Sequence, residues 1–274
     1  MKITYYGTAA GEAWPGVFCS CELCQKAREL GGKNIRTRSQ ALINDDLLLD
    51  MPPDNYLHTL YYGLDLSKVK TLLFTHSHSD HCYPGDLELL REPYSHTYPD
   101  KMEVFGNDAV ERKVEKACHS LGGERERFTF TRIMPNESVS SGPYRITALR
   151  AVHAKDETCL FYHIALGDQA VLYAHDTGAL TEENLETLDR CFHPLELVSL
   201  DCTQQQHQDG KYHMGFDDAV EQKRILLDRG LADENTVFVV NHFSHNGGWL
   251  HEEISRRAEA FGMIASYDGM VVSI

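Results

Sequence analysis

The segment His76-Ser77-His78-Ser79-Asp80-His81 sets three imidazoles and a carboxylate within six residues. Neutral imidazole and carboxylate are the ligands that zinc and similar divalent ions take. At i, i+2 spacing His76 and His78 can face one ion, while the turn that follows sends Asp80 and His81 toward a second. So short a loop cannot complete two coordination spheres. His153, Asp176 and His242 can supply the rest, because each stands just beyond an apolar, strand-like run (146–152, 170–173 and 237–241). The expected cofactors are two divalent ions, zinc or manganese. Such a pair lowers the pKa of a shared water toward about 7 and offsets charge that develops on a phosphoryl or acyl group.

Two further clusters bear chemistry. Cys19-x-Cys21-x-x-Cys24 has the density of a closed thiolate site that needs one more ligand to make a tetrahedral, structural zinc. The remaining cysteines, Cys82, Cys118, Cys159, Cys191 and Cys202, stand singly and read as small buried side chains. His213, in Tyr212-His213-Met214-Gly215-Phe216, precedes a helical stretch whose first amides would favour an anion. His207 is its nearest rival for a role in catalysis.

Positioning these residues falls to short β-branched and aliphatic runs at 1–7, 41–44, 47–50, 71–75, 103–105, 128–134, 144–149, 160–166, 170–174, 197–201, 236–241 and 270–274. Helical patterns fall at 107–121, 181–191, 216–229 and 250–261. The Asn44-Asp45-Asp46 turn and the segment 166–170 read as hairpin turns. Strand pairs come first, helices follow and the alternation resumes, which suits two sheets packed together with helices outside. No repeat or linker marks a boundary, so residues 1–274 read as one domain.

Composition narrows the partners. Forty-one acidic against 26 basic residues give a net charge of −15, and such a field repels polyanions. A small-molecule anionic substrate is expected, and nucleic acid is not. No apolar run is long enough to span a bilayer and no signal peptide is apparent, so the expected location is cytoplasmic. A disulfide framework is not expected there. The stretch 89–101, rich in Tyr, Pro and His, is a candidate pocket wall or subunit contact in a possible homodimer.

His76-x-His78-x-Asp80-His81, with His153, Asp176 and His242 following in that order, resembles the metallo-β-lactamase superfamily of binuclear hydrolases over nearly the whole chain. The resemblance implies an α/β (α+β) fold, a four-layer αββα sandwich. It implies that His76, His78 and His153 hold one metal, that Asp80, His81 and His242 hold the other, and that Asp176 bridges them. Asp50 resembles the aspartate that orients the ligand loop, although Met51-Pro52-Pro53 follows it where the family usually has glycine. Gly7-Thr8-Ala9-Ala10 ahead of the three cysteines is similar to the branch containing the phosphoribosyl cyclic phosphate phosphodiesterase. That likeness implies His245 as the fourth ligand of a structural zinc, Asp80, Asp176 and His213 as catalytic residues with His213 as general acid, and hydrolysis of a small or cyclic phosphodiester. Other ester, thioester or lactone hydrolysis is the alternative, as is an accessory role of the pyrroloquinoline-quinone biosynthesis type.

Overall fold

Runs too short and too β-branched for helices pair into two sheets in the computed structural model, which describes residues 1–96, 101–120, 127–191, 194–207 and 210–274. The first sheet contains β1 (Lys2–Gly7), β2 (Gln40–Ile43), β3 (Leu47–Leu49), β4 (Thr71–Leu73), β5 (Met102–Gly106) and β6 (Phe128–Arg132). The second contains β7 (Ser138–Ser141), β8 (Tyr144–Arg150), β9 (Leu160–Leu166), β10 (Gln169–Ala174), β11 (Leu197–Asp201), β12 (Val237–Asn241) and β13 (Ile264–Ala265). The last strand, β14 (Met270–Ser273), returns to pair with β1. Among the described residues each sheet thus has seven strands, in the orders β14-β1-β2-β3-β4-β5-β6 and β13-β12-β11-β10-β9-β8-β7.

Alternation along the strands builds the layers. Ile3 and Tyr5, with Leu47, Leu49 and Leu73, face Ile146, Tyr162, Ile164, Val171 and Tyr173 of the other sheet. Tyr6, Leu48, Leu72 and Val104 face outward, under α3 (Asp108–Ser120) through Val110 and Val114. On the opposite flank Leu172, Val198, Leu200 and Val240 pack against α4 (Glu182–Arg190), α5 (Phe216–Asp228) and α6 (His251–Ala260). Helix, sheet, sheet and helix make the expected αββα sandwich. No helix among the described residues is long and apolar enough to cross a membrane.

Strand direction then explains why distant residues meet. β3 and β4 run parallel, as do β10, β11 and β12, so their C-terminal ends share one edge of the sandwich. Asp50, the histidine loop, Asp176, Asp201 and His242 all stand at those ends, where open α/β sheets bind ligands. Both hairpins form as read: Ile43 pairs with Leu47, and Leu166 with Gln169.

Four elements differ from the sequence reading. Two helices, α1 (Glu22–Leu30) and α2 (Asn55–Tyr62), and the strands β7 and β13 were not anticipated. β4 also stops at Leu73, short of Thr75, because the Thr75 amide donates to the Asp50 carboxylate at 2.8 Å instead of to a neighbouring strand. Of the stretch 89–101, residues 97–100 lie outside those described. Leu89, Leu90 and Ser95 line a separate cavity of about 300 Å³ with Met51 and Tyr56, and none of the histidine cluster reaches it.

Candidate metal centre

Asp50 governs the histidine loop from behind. The Thr75 hydroxyl donates to Asp50 Oδ1 at 3.0 Å, so its oxygen is left to accept from His76 Nδ1–H at 3.0 Å. His81 Nδ1–H donates to Asp50 Oδ2 at 2.7 Å. Both rings therefore turn a lone pair on Nε2 away from Asp50, the tautomer a ligand needs. Met51, where the family usually has a glycine nearby, bridges Cys82 and accepts the Tyr83 amide, which clamps the far side of the loop.

A second aspartate repeats the device, and the sequence reading missed it. Asp201, at the end of β11, accepts the Thr203 hydroxyl at 3.0 Å and the Asp176 amide at 3.0 Å. Thr203 in turn accepts from His242 Nδ1–H at 2.7 Å, leaving Nε2 of His242 with its lone pair. The signal was available: Leu197–Asp201 is an apolar strand ending in aspartate, as is Leu47–Asp50. Asp50, Asp176 and His242 all adopt left-handed backbone, with φ of 62°, 53° and 65°. Each such residue costs on the order of 1–3 kcal/mol and persists where the surroundings impose it.

The structure brings the sequence-predicted residues into two groups, each with its donor atoms within 4.8 Å of one another: His76, His78 and His153, and Asp80, His81, Asp176 and His242. Asp176 touches both. Its Oδ2 lies 3.4 Å from His76 Nε2, 2.8 Å from His81 Nε2 and 3.6 Å from His242 Nε2, and Oδ1 lies 3.6 Å from His153 Nδ1.

These residues fit a cation in each group. His76 Nε2, His153 Nδ1 and Asp176 Oδ1 are buried without a hydrogen-bond partner, an arrangement that costs about 1–3 kcal/mol per group unless something satisfies it. Facing nitrogens lie close, His78 Nδ1 to His153 Nε2 at 3.2 Å and His81 Nε2 to His242 Nε2 at 3.3 Å. Burial pushes His76 well below its ordinary pKa, so it stays neutral. Burial opposes charge on His81 too, but Asp80, Asp50 and Asp176 outweigh it and hold that ring well above its ordinary value. The buried carboxylates demand positive charge, which a divalent ion supplies.

His213 joins this centre. Its Nδ1 lies 3.2 Å from Asp176 Oδ1 and 3.4 Å from Asp201 Oδ2. Burial opposes its charge, but the bond to Asp201 prevails and lifts the pKa to about 9. His207 is exposed and makes no contact with the cluster among the described residues. The anion-favouring helix end expected after His213 is already occupied. Asp218 accepts the Gly215 amide at 2.8 Å and Gln205 O accepts that of Phe216 at 2.7 Å, so the first turn of α5 carries its own negative charge. Gly178 holds the His213 loop in place, since a Cβ there would stand 2.4 Å from the carbonyl oxygens of Gly210 and Lys211.

Away from this centre, Cys19, Cys21, Cys24 and His245 gather with donor atoms within 4.8 Å. Cys21 Sγ and Cys19 Sγ lie 3.6 and 3.9 Å from His245 Nδ1, and Glu12 faces the ring's other nitrogen at 3.6 Å. Four such donors could hold one tetrahedral ion. His245 sits three residues beyond His242, and Gly11, next to Glu12, packs on the Asp80 carboxylate, where a Cβ would come within 3.1 Å.

Behind Asp50 runs a buried chain. Gln40 Nε2 donates to Asp50 O and to Asn55 Oδ1, so its Oε1 accepts from His58 Nδ1–H. His58 Nε2 must then accept, and takes the Thr37 hydroxyl at 2.7 Å. The Thr37 hydroxyl and amide both point at Asp268 Oδ2, each at 2.6 Å, and the Thr8 hydroxyl donates to Oδ1 at 2.6 Å. Burial shifts both ionisable ends of the chain, holding His58 down at about 4 and Asp268 up at about 6.

Comparison with known proteins fits this architecture. No curated protein matches the sequence. Among solved structures the chain is similar to a "new diphosphatase from the PhnP family" (TM-score 0.73, 20% identity, covering 100% of this chain and 97% of that one). It is similar also to Zn(2+)-bound PqqB from Methylobacterium extorquens (0.69, 16%, 100% and 100%) and to human tRNase Z, short form (0.68, 16%, 100% and 99%). At these identities the likeness is one of fold. The family described as the beta-lactamase superfamily domain matches residues 48–229, from β3 to just past α5. With more than half of its length so matched, the chain belongs to the beta-lactamase superfamily.

Proposed function

We propose that the protein is a binuclear metal-dependent hydrolase of small or cyclic phosphodiesters. The observation that carries this reading is the contact of one carboxylate, Asp176, with His76 and His153 on one side, His81 and His242 on the other, and His213 beside them. His76, His78 and His153 would hold one divalent ion, Asp80, His81 and His242 a second, and Asp176 both. When bound, the two ions acidify water and offset the charge that builds on phosphoryl oxygens. Asp50 and Asp201, through Thr75 and Thr203, keep the imidazoles aimed with Nε2 toward the centre. His213, engaged by carboxylates at Nδ1, holds a proton for the departing alkoxide. Cys19, Cys21, Cys24 and His245 would hold a structural zinc that fixes the turn bearing His242. The PhnP-family diphosphatase supports phosphorus–oxygen chemistry on this fold, and the acidic surface favours a small anionic substrate over RNA.

The test is a turnover panel with protein loaded with zinc or manganese: bis(p-nitrophenyl) phosphate and a cyclic ribose phosphate against lactones and glutathione thioesters. Phosphodiester turnover that falls more than about a hundredfold in His76→Ala, beyond the usual cost of losing an outer partner of a metal ligand, is expected. Turnover confined to lactones or thioesters would transfer the site to acyl chemistry, and a fully loaded but inert protein would remove the hydrolase reading.

A further inference from the structure

We propose that Glu157 is a positioning residue for one cation of the pair. It joins the loop of His76 and His78 to the loop of His153, and the affinity of that cation site depends on it while the affinity of the other does not. The inference rests on the two-cation part of the proposed function and is independent of which ester is the substrate.

His78 and His153 differ from the other candidate imidazoles in what holds them. His76 is aimed through Thr75, His81 by Asp50 and His242 through Thr203, in each case by a hydrogen bond at Nδ1. Among the described residues neither His78 nor His153 has a ring hydrogen bond to a group outside the candidate centre. The bond between the two, His78 Nδ1 to His153 Nε2 at 3.2 Å, lies within it. His78 is also exposed, and His153 Nδ1 is buried with no hydrogen-bond partner. The aim of these two rings therefore comes from their backbones.

Those backbones belong to different sheets. His76 and His78 follow β4 of the first, and His153 follows β8 of the second. Glu157, four residues beyond His153, spans the join. Its carboxylate accepts the Ser77 hydroxyl at 2.8 Å and the Ser77 amide at 3.0 Å, and Ser77 is the residue between His76 and His78. It also accepts the Asn107 side-chain amide at 2.8 Å, and the same amide group donates to Thr158 O at 2.7 Å. Asn107 is fully buried just past β5, and its Oδ1 accepts the Val110 amide at 2.8 Å, which turns Nδ2 toward Glu157. Two more bonds complete the seam: Lys113 of α3 donates to Ser77 O at 2.9 Å, and the Leu160 amide donates to Thr75 O at 2.9 Å.

Glu157 forms no ion pair among the described residues, so its contribution is these bonds to neutral donors, which are the stronger for its charge. Pinned to Ser77, it limits how far His153 can move from His78. Without it a bound cation would have to order the loop between β8 and β9 against its conformational entropy. The other group is fixed through Asp50 and Asp201 and has no member in that loop.

The test is a titration of metal-free protein with Co2+, followed by visible absorption and checked by elemental analysis. An ion at Cys19, Cys21, Cys24 and His245 is told apart by its thiolate charge-transfer band. Glu157→Ala should weaken one of the two histidine-bound ions by about 10- to 100-fold, the range for outer partners of metal ligands, and leave the second as in wild type. The cobalt spectrum that remains should match that of His153→Ala. Glu157→Gln keeps an oxygen for the Ser77 and Asn107 amides without the charge, so it should recover most of the lost affinity. Weakening of both ions alike, or of neither, overturns the inference, and a Gln variant as weak as the Ala variant overturns positioning in favour of plain charge attraction. If circular dichroism shows Glu157→Ala unfolded, Ser77→Ala decides: it removes the hydroxyl bond alone and should loosen the same ion severalfold, and an unchanged titration overturns the inference. Wild-type protein that takes up fewer than two ions at the histidines removes the two-cation reading itself, and this inference with it.

Discussion

Asp201 and Asp50 do the same work at two strand ends, each using a threonine to choose which ring nitrogen a histidine presents. Asp201→Asn keeps the size of the side chain but gives up the charge that Thr203 and His213 lean on. Its kcat should fall by about 10- to 100-fold with a matching loss of metal affinity, the range for outer partners of metal ligands, read by steady-state kinetics during a metal titration. His213 makes a sharper prediction. A p-nitrophenolate leaves without help, whereas an alkoxide needs a proton, so His213→Gln should slow a cyclic ribose phosphate by about 10²- to 10⁴-fold and bis(p-nitrophenyl) phosphate far less. Equal losses on the two esters would make His213 a positioning residue only. The candidate ligands were legible in the sequence because they stand in one six-residue cluster or directly after apolar runs. Asp201, Thr75 and Thr203 were not, since their roles consist of hydrogen bonds to residues that only the fold brings near.

Elements were legible where periodicity was long. α5 and α4 emerged within a residue of their ends, helped in α4 by the Thr181–Asn184 reciprocal cap. Thr181→Ala should cost about 1 kcal/mol, seen as a lower urea midpoint at unchanged slope. The helix Asn55–Tyr62 stayed hidden because its sequence is rich in aromatic residues with modest helix propensity and follows Pro52-Pro53. Glu22–Leu30 was obscured because Cys24 in its first turn, with Cys19 and Cys21 just ahead, reads as a metal loop. β7 is polar, lies at a sheet edge and shows no buried alternation. Loops obey tighter limits than either. Gly178→Ala would drive a methyl into the backbone of Gly210 and Lys211, so it should displace His213 and lower kcat while leaving the metal content, measured by elemental analysis, at the wild-type level.

Across the whole molecule, the buried chain from Asp268 to Gln40 links stability to pH in two opposed ways. His58, depressed to about 4, contributes stability that is present above its ordinary value of 6.5 and is lost as pH falls toward 4. Asp268, raised to about 6, contributes stability that is present below its ordinary value of 3.8 and is lost as pH rises through 6. Between about pH 4 and 6 the two slopes offset each other. Asp268→Asn keeps an acceptor oxygen for Thr37 without an ionising group, so relative to wild type it should gain roughly 2–3 kcal/mol between pH 4 and pH 7, measured from urea midpoints at the two pH values. A difference that stays constant with pH would mean that Asp268 is ionised throughout. On the same scale, the proposed ligands are divided between the sheets: His76 to His81 follow β4 in one, while His153, Asp176 and His242 follow strands of the other. Ions seated among them would rivet two slabs that otherwise meet through side-chain packing. Resistance to heating should therefore climb with the logarithm of free zinc or manganese concentration, and dialysis against a chelator should open the sandwich first along the edge where the strand ends meet.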